Sequence, residues 1–542
     1  MTKEDFLIHV IDGGTSYEIT KADFQKALST GFLGGLATAD VPTADGVYIA
    51  EEAGTYTNAG GLVVSLTNEI AYIAVGENQT TFELIEVTST SDSAYANVIE
   101  YGAVGNGTTD DTTSIQNALD NPDNKPVLIP FGAYLISDSL IIPSNCQIIN
   151  YGTLKRDTGE AAFDMLVGDS VDNVIIRGGK IDGVALLDVS VAANRFCGIR
   201  FYDSNGTSPC TNILVENVEV TNTTHGEVQA EGNRGAITLE DTINGVVDGC
   251  RVYGNRGSSI LMHGKNSKDC KVINCYAYDN DQIGSGITGN GYTGLIVDNN
   301  HCYNTKYTPI SVNGKGAIIS NNTVYNAPDN MAGITIGHNS PVSNASNTVC
   351  TGNVIRDCGK TKAFVAGIVV SNSDEVIITG NLIKDNSSRG IRFLGKPVTA
   401  TGGCRVSDNI IMNNGGHAIL MEWGVGHIIE NNNIVNNTGD GVYIDGSKLD
   451  SGYPLDNIYV RNNFIKNNNS GANGSGIRGA GSTATNYNIW VHGNTFISNG
   501  KNQLNAIWSA HATVTIHARN NEMNENYGES LAFRSTSGGK FT

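Results

Sequence analysis

The chain has 542 residues, a charged fraction of 16%, 65 glycines and a formal net charge of −20. Gly and Asn are poor helix formers and recur throughout, which argues against a helix-rich fold, while 39% hydrophobic residues can still build a core. The negative charge disfavours nucleic acid and an anionic membrane as partners, because both attract positive charge. No apolar run reaches about 18 residues, which predicts no membrane insertion.

Residues 1–90 are predicted to form a small N-terminal module. The first 97 residues contain three Lys, no Arg and fourteen Asp or Glu, which sets them apart from the rest. One amphipathic helix is predicted over residues 20–28, with Thr20 as its N-cap. The predicted strands are Val47–Ala50, Leu62–Ser65, Ile70–Val75 and Thr81–Val87. The first residues lack a basic segment followed by an apolar one, so no signal peptide is predicted.

Residues 91–125 are predicted to be a linker and a helical cap. Asp110 or Asp111 can serve as the N-cap of a short helix. The apolar face of this helix would hold Ile115, Ala118 and Leu119. A helix in this place would cover the first coil of a solenoid, which otherwise exposes its core.

An internal repeat governs residues 126–525. In Val376–Ile383 the pattern is apolar, any, apolar, any, any, Asn, any, apolar, and Asn381 is its anchor. Thirteen anchors at this register span 342 residues, a mean interval of 28.5 residues. They are Gly179, Val218, Cys250, Cys275, Asn300, Asn322, Asn353, Asn381, Asn409, Asn432, Asn463, Asn494 and Asn521. This period predicts an all-β solenoid of about 13 coils, in which the anchor Asn side chains form a hydrogen-bonded ladder. Residues 526–542 are predicted to be a C-terminal tail.

The ten cysteines follow the same repeat. Cys250 and Cys275 occupy anchor positions, and most of the others fall on inward positions of the pattern, which predicts buried free thiols rather than catalytic ones. No zinc-type spacing of Cys and His is present, and the three GxGxxG matches lie in turns of the repeat. The sequence therefore predicts no metal and no cofactor.

A second register places candidate site residues on the outer face of the coils. Each coil has a strand with an inward Ile or Val, such as Ile419 and Val442, and the residues one and three positions later point outward. Glu422 and Asp445 fall three positions later on consecutive coils and are predicted to face solvent about 5 Å apart. Such a pair can hydrolyse a glycosidic bond, because one carboxyl protonates the leaving oxygen while the other activates water or attacks carbon.

Further side chains fall near this catalytic candidate pair. The aromatic rings among them can stack on sugar faces, and the arginines can hold the carboxylate of an acidic sugar. The predicted substrate-binding residues are Arg389, Arg392, His417, Trp423, Asp440, Tyr443 and Arg478. A second candidate cluster consists of Glu240, Asp241 and His263. The alternative for all these groups is a solvated surface without chemistry.

The segment before the repeat resembles a known family. It is similar to the opening motif of pectate-lyase-like right-handed parallel β-helix proteins, which many phage tailspikes carry, on Glu100–Gly107, Asp110–Thr112, Val127–Ile136 and Leu140–Asn145. The resemblance covers about residues 97–525. It implies a right-handed parallel β-helix and a homotrimeric tailspike that binds, and often cleaves, a bacterial surface polysaccharide such as capsule or lipopolysaccharide.

Residues 46–62 are similar to N-terminal modules of phage tail proteins. This likeness implies attachment to a phage tail or baseplate, and a virion protein made in the host cytoplasm without a signal peptide. Three functions stay open: a polysaccharide hydrolase, a lyase and a non-catalytic receptor-binding adhesin. In the lyase, Arg392 or His417 would abstract a proton next to a uronate carboxylate.

Overall fold

The computed structural model describes the side chains of residues 94–121, 125–184, 187, 194–224, 234–280, 284–328, 330–337, 345–359, 365–394, 403–447, 455–468, 475–481, 486–499 and 514–523, and elsewhere the backbone of individual strands. The chain divides into two units, Met1–Leu135 with Cys146–Leu154 and Ile136–Asn145 with Lys155–Thr542. Within the described part of the chain, no helix has the length and apolar character needed to cross a membrane.

The first unit begins with short strands. Those before residue 94 are Ile8–Asp12, Thr15–Ile19, Phe32–Leu36, Gly46–Ala50, Gly54–Tyr56, Leu62–Val64, Ile70–Gly76 and Thr81–Val87. The four strands predicted between residues 47 and 87 are confirmed. Three of them belong to one four-stranded sheet, in which Phe32–Leu36 pairs with Gly46–Ala50. The helix predicted over residues 20–28 lies outside the described residues.

The helix Thr112–Leu119 follows Asp111, and its predicted apolar face is buried. The buried residues are Ile115, Ala118 and Leu119. The carboxylate of Asp111 accepts hydrogen bonds from the backbone N–H of Val104 at 2.6 Å and of Gly105 at 3.1 Å. Asp111 is therefore the N-cap by position, while its side chain fixes the preceding loop. The other strands of this part of the chain are Ala96–Asn97, Asn106–Asp110, Val127–Ile129, Ala133–Ile136, Gln147–Asn150 and Thr153–Arg156.

The second unit is a right-handed parallel β-helix whose coils contribute strands to three parallel sheets, here called A, B and C. Sheet A contains Leu140–Ile141, Leu166–Asp169, Ile199–Tyr202, Gly235–Glu240, Ser258–His263, Ile287–Thr293, Ile310–Lys315, Ile334–Ile336, Ala366–Ser371, Arg389–Leu394, Ile419–Met421, Val442–Asp445, Ser475–Ala480, Asn505–Ser509 and Phe533–Ser535. Sheet B contains Asp172–Arg177, Cys210–Glu216, Thr242–Ile243, Val246–Asp248, Lys271–Ile273, Ile296–Asp298, Ile318–Ser320, Val349–Thr351, Ile377–Thr379, Arg405–Ser407, Ile428–Glu430, Ile458–Arg461, Tyr487–His492, Val514–Arg519 and Lys540–Phe541. Sheet C contains Lys180–Asp182, Glu219–Thr221, Arg251–Tyr253, Tyr276–Tyr278, His301–Tyr303, Thr323–Tyr325, Val354–Arg356, Leu382–Lys384, Ile410–Met412, Asn433–Val435, Phe464–Lys466, Thr495–Ile497 and Glu522–Asn524. A short extra pair joins Gly424–Val425 to Leu455–Asp456.

The strands of sheet C agree with the predicted repeat. Thirteen of them follow directly after the thirteen anchors, from Lys180–Asp182 to Glu522–Asn524. Strands Phe533–Ser535 and Lys540–Phe541 extend sheets A and B into the segment that was predicted as a C-terminal tail. No anchor follows Asn521, which is why the pattern did not indicate these strands.

The anchors lie in short turns between sheets B and C. In one of them Gly380 has a φ of +65° and the next residue, Asn381, is buried. From Asn300 to Asn521, each anchor Nδ2 donates to the Oδ1 of the next anchor over 2.9 to 3.1 Å. The same Oδ1 accepts the backbone N–H of the preceding anchor. The predicted ladder is confirmed.

A second ladder, which was not predicted, runs through the turns between sheets C and A. Its members donate from Nδ2 to the next Oδ1 over 2.8 to 3.1 Å and are buried. They are Asn386, Asn414, Asn437, Asn468 and Asn499. Each lies five residues after an anchor, so the signal was present in the sequence.

All ten cysteines are buried free thiols, as predicted. Burial raises the pKa of Cys270 to about 11 and that of Cys350 to about 12. A thiol is a nucleophile only as thiolate, so these groups are packing residues. The backbone N–H of Cys275 donates to Oδ1 of Asn300 at 2.8 Å, which joins the cysteine anchors to the start of the Asn ladder.

We expect Asn432→Ala to lower the free energy of unfolding by about 1–3 kcal/mol, because the buried amide of Asn409 loses its acceptor. Asn433→Ala is the matched control, since that side chain is the exposed neighbour, and its effect should stay below about 0.5 kcal/mol. Urea unfolding followed by circular dichroism measures both. Equal and negligible changes would show that the ladder contributes no stability.

Candidate functional site

The outer face of sheet A carries most of the predicted site. Ile391, Ile419, Val442 and Ile477 form one buried column on four consecutive strands, which confirms the predicted register. The next residues along these strands are Arg392, Leu420, Tyr443 and Arg478. Side chains alternate along a strand, so this second column points away from the core.

Glu422 is enclosed by an arginine from the preceding coil. The Nε of Arg392 lies 2.8 Å from Oε2 of Glu422, and its Nη2 lies 3.2 Å from Oε1. The two residues are each 7% exposed. The prediction that Glu422 faces solvent is therefore wrong: it has the predicted register, but the long Arg392 side chain lies over it and uses both carboxylate oxygens.

Trp423 does not lie on the outer face. It is 1% exposed, and its ring centroid lies 6.1 Å from that of Phe393 and 5.0 Å from that of His427. Trp423 lies four positions after the inward Ile419, so strand alternation itself places its side chain towards the core. The prediction that Trp423 stacks on a sugar is wrong, because both ring faces are inside the coil. Gly424, at a φ of +136°, leaves the space that the His427 ring fills.

His417 is a neutral imidazole whose Nδ1 accepts the backbone N–H of Asp440 at 2.9 Å. This bond assigns the ring proton to Nε2. Burial, followed by the charges of Arg389 and Arg478, lowers the pKa of His417 to about 3. The ring lies 4.6 Å from the ring of Tyr443. In this state the imidazole offers a substrate a hydrogen-bond donor and no basic nitrogen.

Asp440 is fully buried. Its Oδ1 accepts the backbone N–H and the hydroxyl of Ser475 at 2.7 and 3.2 Å, and its Oδ2 lies 3.4 Å from Nδ1 of His417. The prediction that Asp440 contacts substrate is wrong, because no bound molecule reaches an enclosed carboxylate. Asp440 lies two positions before the inward Val442, so alternation along the strand gives it no outward position.

Tyr443, Arg478 and Asp445 form the accessible side of this group. The guanidinium of Arg478 lies 4.9 Å from the centre of the Tyr443 ring. Burial, followed by the charge of Asp445, raises the pKa of Tyr443 to about 12. Asp445 is partly exposed, and its Oδ1 accepts the backbone N–H of Ser447 at 3.0 Å.

Arg389 completes the group. Burial, followed by the neighbouring Arg392, lowers the pKa of Arg389, while Glu422 and Asp445 act in the opposite direction. The structure thus brings eight predicted residues together, and they are called the sheet A cluster below: Arg389, Arg392, His417, Glu422, Asp440, Tyr443, Asp445 and Arg478. Its three guanidinium groups balance its three carboxylates.

The second predicted cluster lies on earlier coils of sheet A. Glu240 and His263 are register partners on adjacent strands. Arg200, which was not predicted, bridges Oε2 of Glu240 and Oδ2 of Asp164 at 3.2 Å each. Asp241 has a φ of +44° and belongs to the following turn. Glu240 is therefore one member of an ion-pair network with Arg200 and Asp164. Asp241, the other carboxylate of the predicted cluster, does not face it.

A longer register would have found Arg200. It follows the inward Ile199, the register partner of Ile237, with which the predicted column started. Extending the column by one coil places Arg200 on the outer face. Asp164 precedes the strand Leu166–Asp169 and carries no such signal.

Two protein-family models match most of the β-helix. Residues 95–335 match rhamnogalacturonase A/epimerase, pectate lyase-like, and residues 311–527 match periplasmic copper-binding protein (NosD). The chain is 24% identical over 200 residues to the pre-neck appendage protein of Bacillus phage phi29, a match that covers 33% of this chain and 22% of that protein. The chain thus matches about a fifth of the length of this curated relative and of its counterpart from Bacillus phage PZA.

Two solved structures are similar at low identity. The A-module of a mannuronan C-5 epimerase from Azotobacter vinelandii is 17% identical, with a TM-score of 0.43, and the match covers 81% of this chain and 99% of that chain. A variant of the tailspike protein of Escherichia coli bacteriophage HK620 is 14% identical, with a TM-score of 0.41, and the match covers 80% of this chain and 75% of that chain. Likeness at this level does not transfer what either protein acts on.

The sheet topology defines a parallel β-helix protein, and residues 95–335 are similar to the pectate-lyase-like family model. This chain is similar to phage tailspike and pre-neck appendage proteins, as its opening motif indicated. Among the residues with described side chains, no group of three or more His, Cys, Asp or Glu could hold a metal ion.

We expect Arg392→Ala to lower the free energy of unfolding by about 3–5 kcal/mol, because it leaves the buried carboxylate of Glu422 without its bidentate partner. The control is Lys384→Ala, which breaks an ion pair whose side chains are 35% and 36% exposed and should cost less than about 1 kcal/mol. Urea unfolding compares the two variants. An effect of Arg392→Ala as small as that of Lys384→Ala would contradict the enclosed ion pair.

Proposed function

We propose that this protein is a phage tail component that binds a bacterial surface polysaccharide on the outer face of sheet A and cleaves it by glycosidic bond hydrolysis. The observation that carries the proposal is the sheet A cluster, where carboxylates, guanidinium groups and a tyrosine lie on consecutive coils. These groups match the hydroxyl and carboxylate groups of a glycan. The similarity to a pre-neck appendage protein supports a location on the virion tail.

Asp445 is the carboxylate of the cluster that a substrate can reach. In the proposed reaction it activates water or attacks the anomeric carbon. Glu422, one coil earlier, supplies the second carboxyl group. Arg392 holds both oxygens of the ionised Glu422, so Glu422 can take up a proton from water and then deliver it to the leaving oxygen only after another anion takes over Arg392. A sugar carboxylate suits this exchange, because it accepts the same bidentate pair of bonds.

The geometry supports hydrolysis over elimination by a lyase. A lyase needs a base for the proton next to the uronate carboxylate, and the sequence offered Arg392 or His417. Arg392 is ion-paired with Glu422, and His417 carries its proton on Nε2 while Nδ1 is occupied. Neither group has a basic atom directed to the outer face.

We expect Asp445→Asn to reduce depolymerisation by at least about a hundredfold, because the amide neither activates water nor attacks carbon. The measurement is the release of reducing ends from purified capsule and lipopolysaccharide of a panel of bacterial strains. Binding of the same glycans should persist, because the aromatic and guanidinium groups remain. Folding should also persist, because Asp445 is partly exposed.

Glu240→Gln is the matched control for this experiment, since Glu240 is an outward carboxylate of the same sheet and should be dispensable for cleavage. Loss of cleavage in Glu240→Gln but not in Asp445→Asn would move the site to the earlier coils. Unsaturated ends on the products would contradict hydrolysis and indicate that the protein is a lyase. Binding of the glycans by the wild-type protein without any cleavage would contradict both enzymes and indicate a receptor-binding adhesin.

We further propose that the protein assembles as a homotrimer and that residues 1–90 attach it to the phage tail or baseplate. Closed rotational symmetry is the usual arrangement of identical chains, and threefold assembly is what the tailspike resemblance implies. We expect light scattering of the full chain at micromolar concentration to give three times the chain mass of 57.3 kDa. A monomeric mass would contradict the trimer.

A further inference from the structure

One outward column of sheet B changes its charge along the sheet. Its members are register partners from one strand to the next. The column begins with Arg177, which is paired with Glu216, and continues through Asp248 and Asp298. Glu430 stands in it directly before Arg461. At the other end Arg461, His492 and Arg519 follow one another on three consecutive strands. The chain has a net charge of −20, so this end is a local exception in sign.

An aromatic column runs beside these cations, two residues earlier on the same strands. It consists of Tyr459, Trp490 and His517. The rings of Trp490 and His517 stack at 3.9 Å. Asn457 accepts the indole N–H of Trp490 at 3.3 Å, and Asn488 bonds the His517 ring at 3.1 Å. The rings are therefore held in fixed orientations and present an apolar strip.

The cations of this surface are accessible. The side chain of Arg461 is 45% exposed and uses its Nε for Glu430 at 2.6 Å, which leaves its terminal nitrogens towards solvent. Arg519 is exposed. Burial, followed by the positive charges of Arg519 and Arg461, lowers the pKa of His492. Both guanidinium groups therefore lie close enough to His492 to act on its ring. An anion bound there would relieve their mutual repulsion.

We propose that this surface is a second glycan-binding site, specific for an anionic polysaccharide. The sheet B patch is defined by Tyr459, Arg461, Trp490, His492, His517 and Arg519. The guanidinium groups bind carboxylate or phosphate groups of the polymer, and the aromatic strip lies against the C–H face of a sugar ring. The site is on a different sheet from the sheet A cluster, and it depends neither on hydrolysis there nor on the identity of the cleaved bond.

Charge complementarity favours an anionic ligand, and the aromatic strip favours a sugar over an acidic peptide. Repeating sugars along a polymer match side chains that repeat once per coil, at a strand spacing of about 4.8 Å. An acidic peptide would satisfy the arginines alone. The two ligand classes are therefore separated by testing a polyuronate against polyglutamate.

The test is affinity electrophoresis of the full-length protein at low salt in gels that contain polygalacturonate, dextran or polyglutamate. We expect polygalacturonate to retard the wild-type protein, dextran to leave it unaffected and polyglutamate to bind at least about tenfold more weakly. The Arg461→Ala/Arg519→Ala double variant should bind polygalacturonate at least about tenfold more weakly, because two charge-assisted contacts are lost. High salt should abolish the retardation.

Arg177→Ala is the matched control. Arg177 lies in the same column of sheet B, is 48% exposed and is paired with Glu216 at 2.7 Å, as Arg461 is with Glu430. It lies outside the sheet B patch, so its removal should change affinity less than twofold. The single variant Arg519→Gln tests the same site without breaking the ion pair between Arg461 and Glu430. It should weaken the binding of polygalacturonate severalfold and leave the unfolding midpoint unchanged. Absence of retardation by polygalacturonate, an equal loss in Arg177→Ala, or equal binding of polyglutamate would each overturn the proposal.

Discussion

A buried side-chain amide in each B-to-C turn from Asn300 to Asn494 is the constraint from which the rest of this part of the β-helix follows. From Asn322 to Asn494, each anchor is both donor and acceptor in one chain of amides, and none of these groups reaches water. A buried amide without its partners is costly, so a slip of one residue in any coil would leave two coils unsatisfied. The ladder therefore fixes the register of each coil against the next.

A fixed register turns the outer surface into columns. Side chains that share a column repeat at the spacing of strands, about 4.8 Å, which favours stacked rings and opposite charges and disfavours like charges. On sheet C, Tyr253, Tyr278, Tyr303 and Tyr325 stack with centroid distances of 4.7 to 5.1 Å. Arg356 closes this stack, 4.4 Å from the Tyr325 ring. The Arg392–Glu422 pair and the sheet A cluster likewise depend on the close spacing of side chains on adjacent strands.

The strand register could be predicted from the sequence, whereas the solvent exposure of individual side chains could not. The inward column through Ile419 and Val442 and the ladder through Asn381 were predicted, because both depend on spacing alone. Trp423 and Asp440 were misplaced because each was assigned to the site by its closeness to a candidate carboxylate. Each lies an even number of positions from an inward residue, so alternation would have placed both side chains inward. The second Asn ladder obeys a constant spacing and could have been predicted by examining a second register.

Glu422 shows the other kind of limit. Its column was right, and its burial was not foreseen, because whether an outward carboxylate is covered depends on which neighbouring side chain is long enough to lie over it. Arg392 has that length, and its guanidinium group contacts both carboxylate oxygens of Glu422. The repeat in the sequence identifies which residues share a column on the surface. Whether a residue in that column is exposed to solvent depends on the conformation of long side chains beside it.

The same separation explains how function can vary on this scaffold. Core and turn positions are constrained by packing and by the amide ladders, while outward positions are constrained only by their two neighbours in the column. Sheet B uses this freedom, because its outward column contains Glu216 and Asp248 on early coils and Arg461 and Arg519 on late coils. The inward residues next to them, such as Val215, Val247 and Val460, are apolar and buried at both ends. A surface charge that differs in this way from the rest of an acidic chain is not required by the fold, and this is the reason to test sheet B for ligands as well as sheet A.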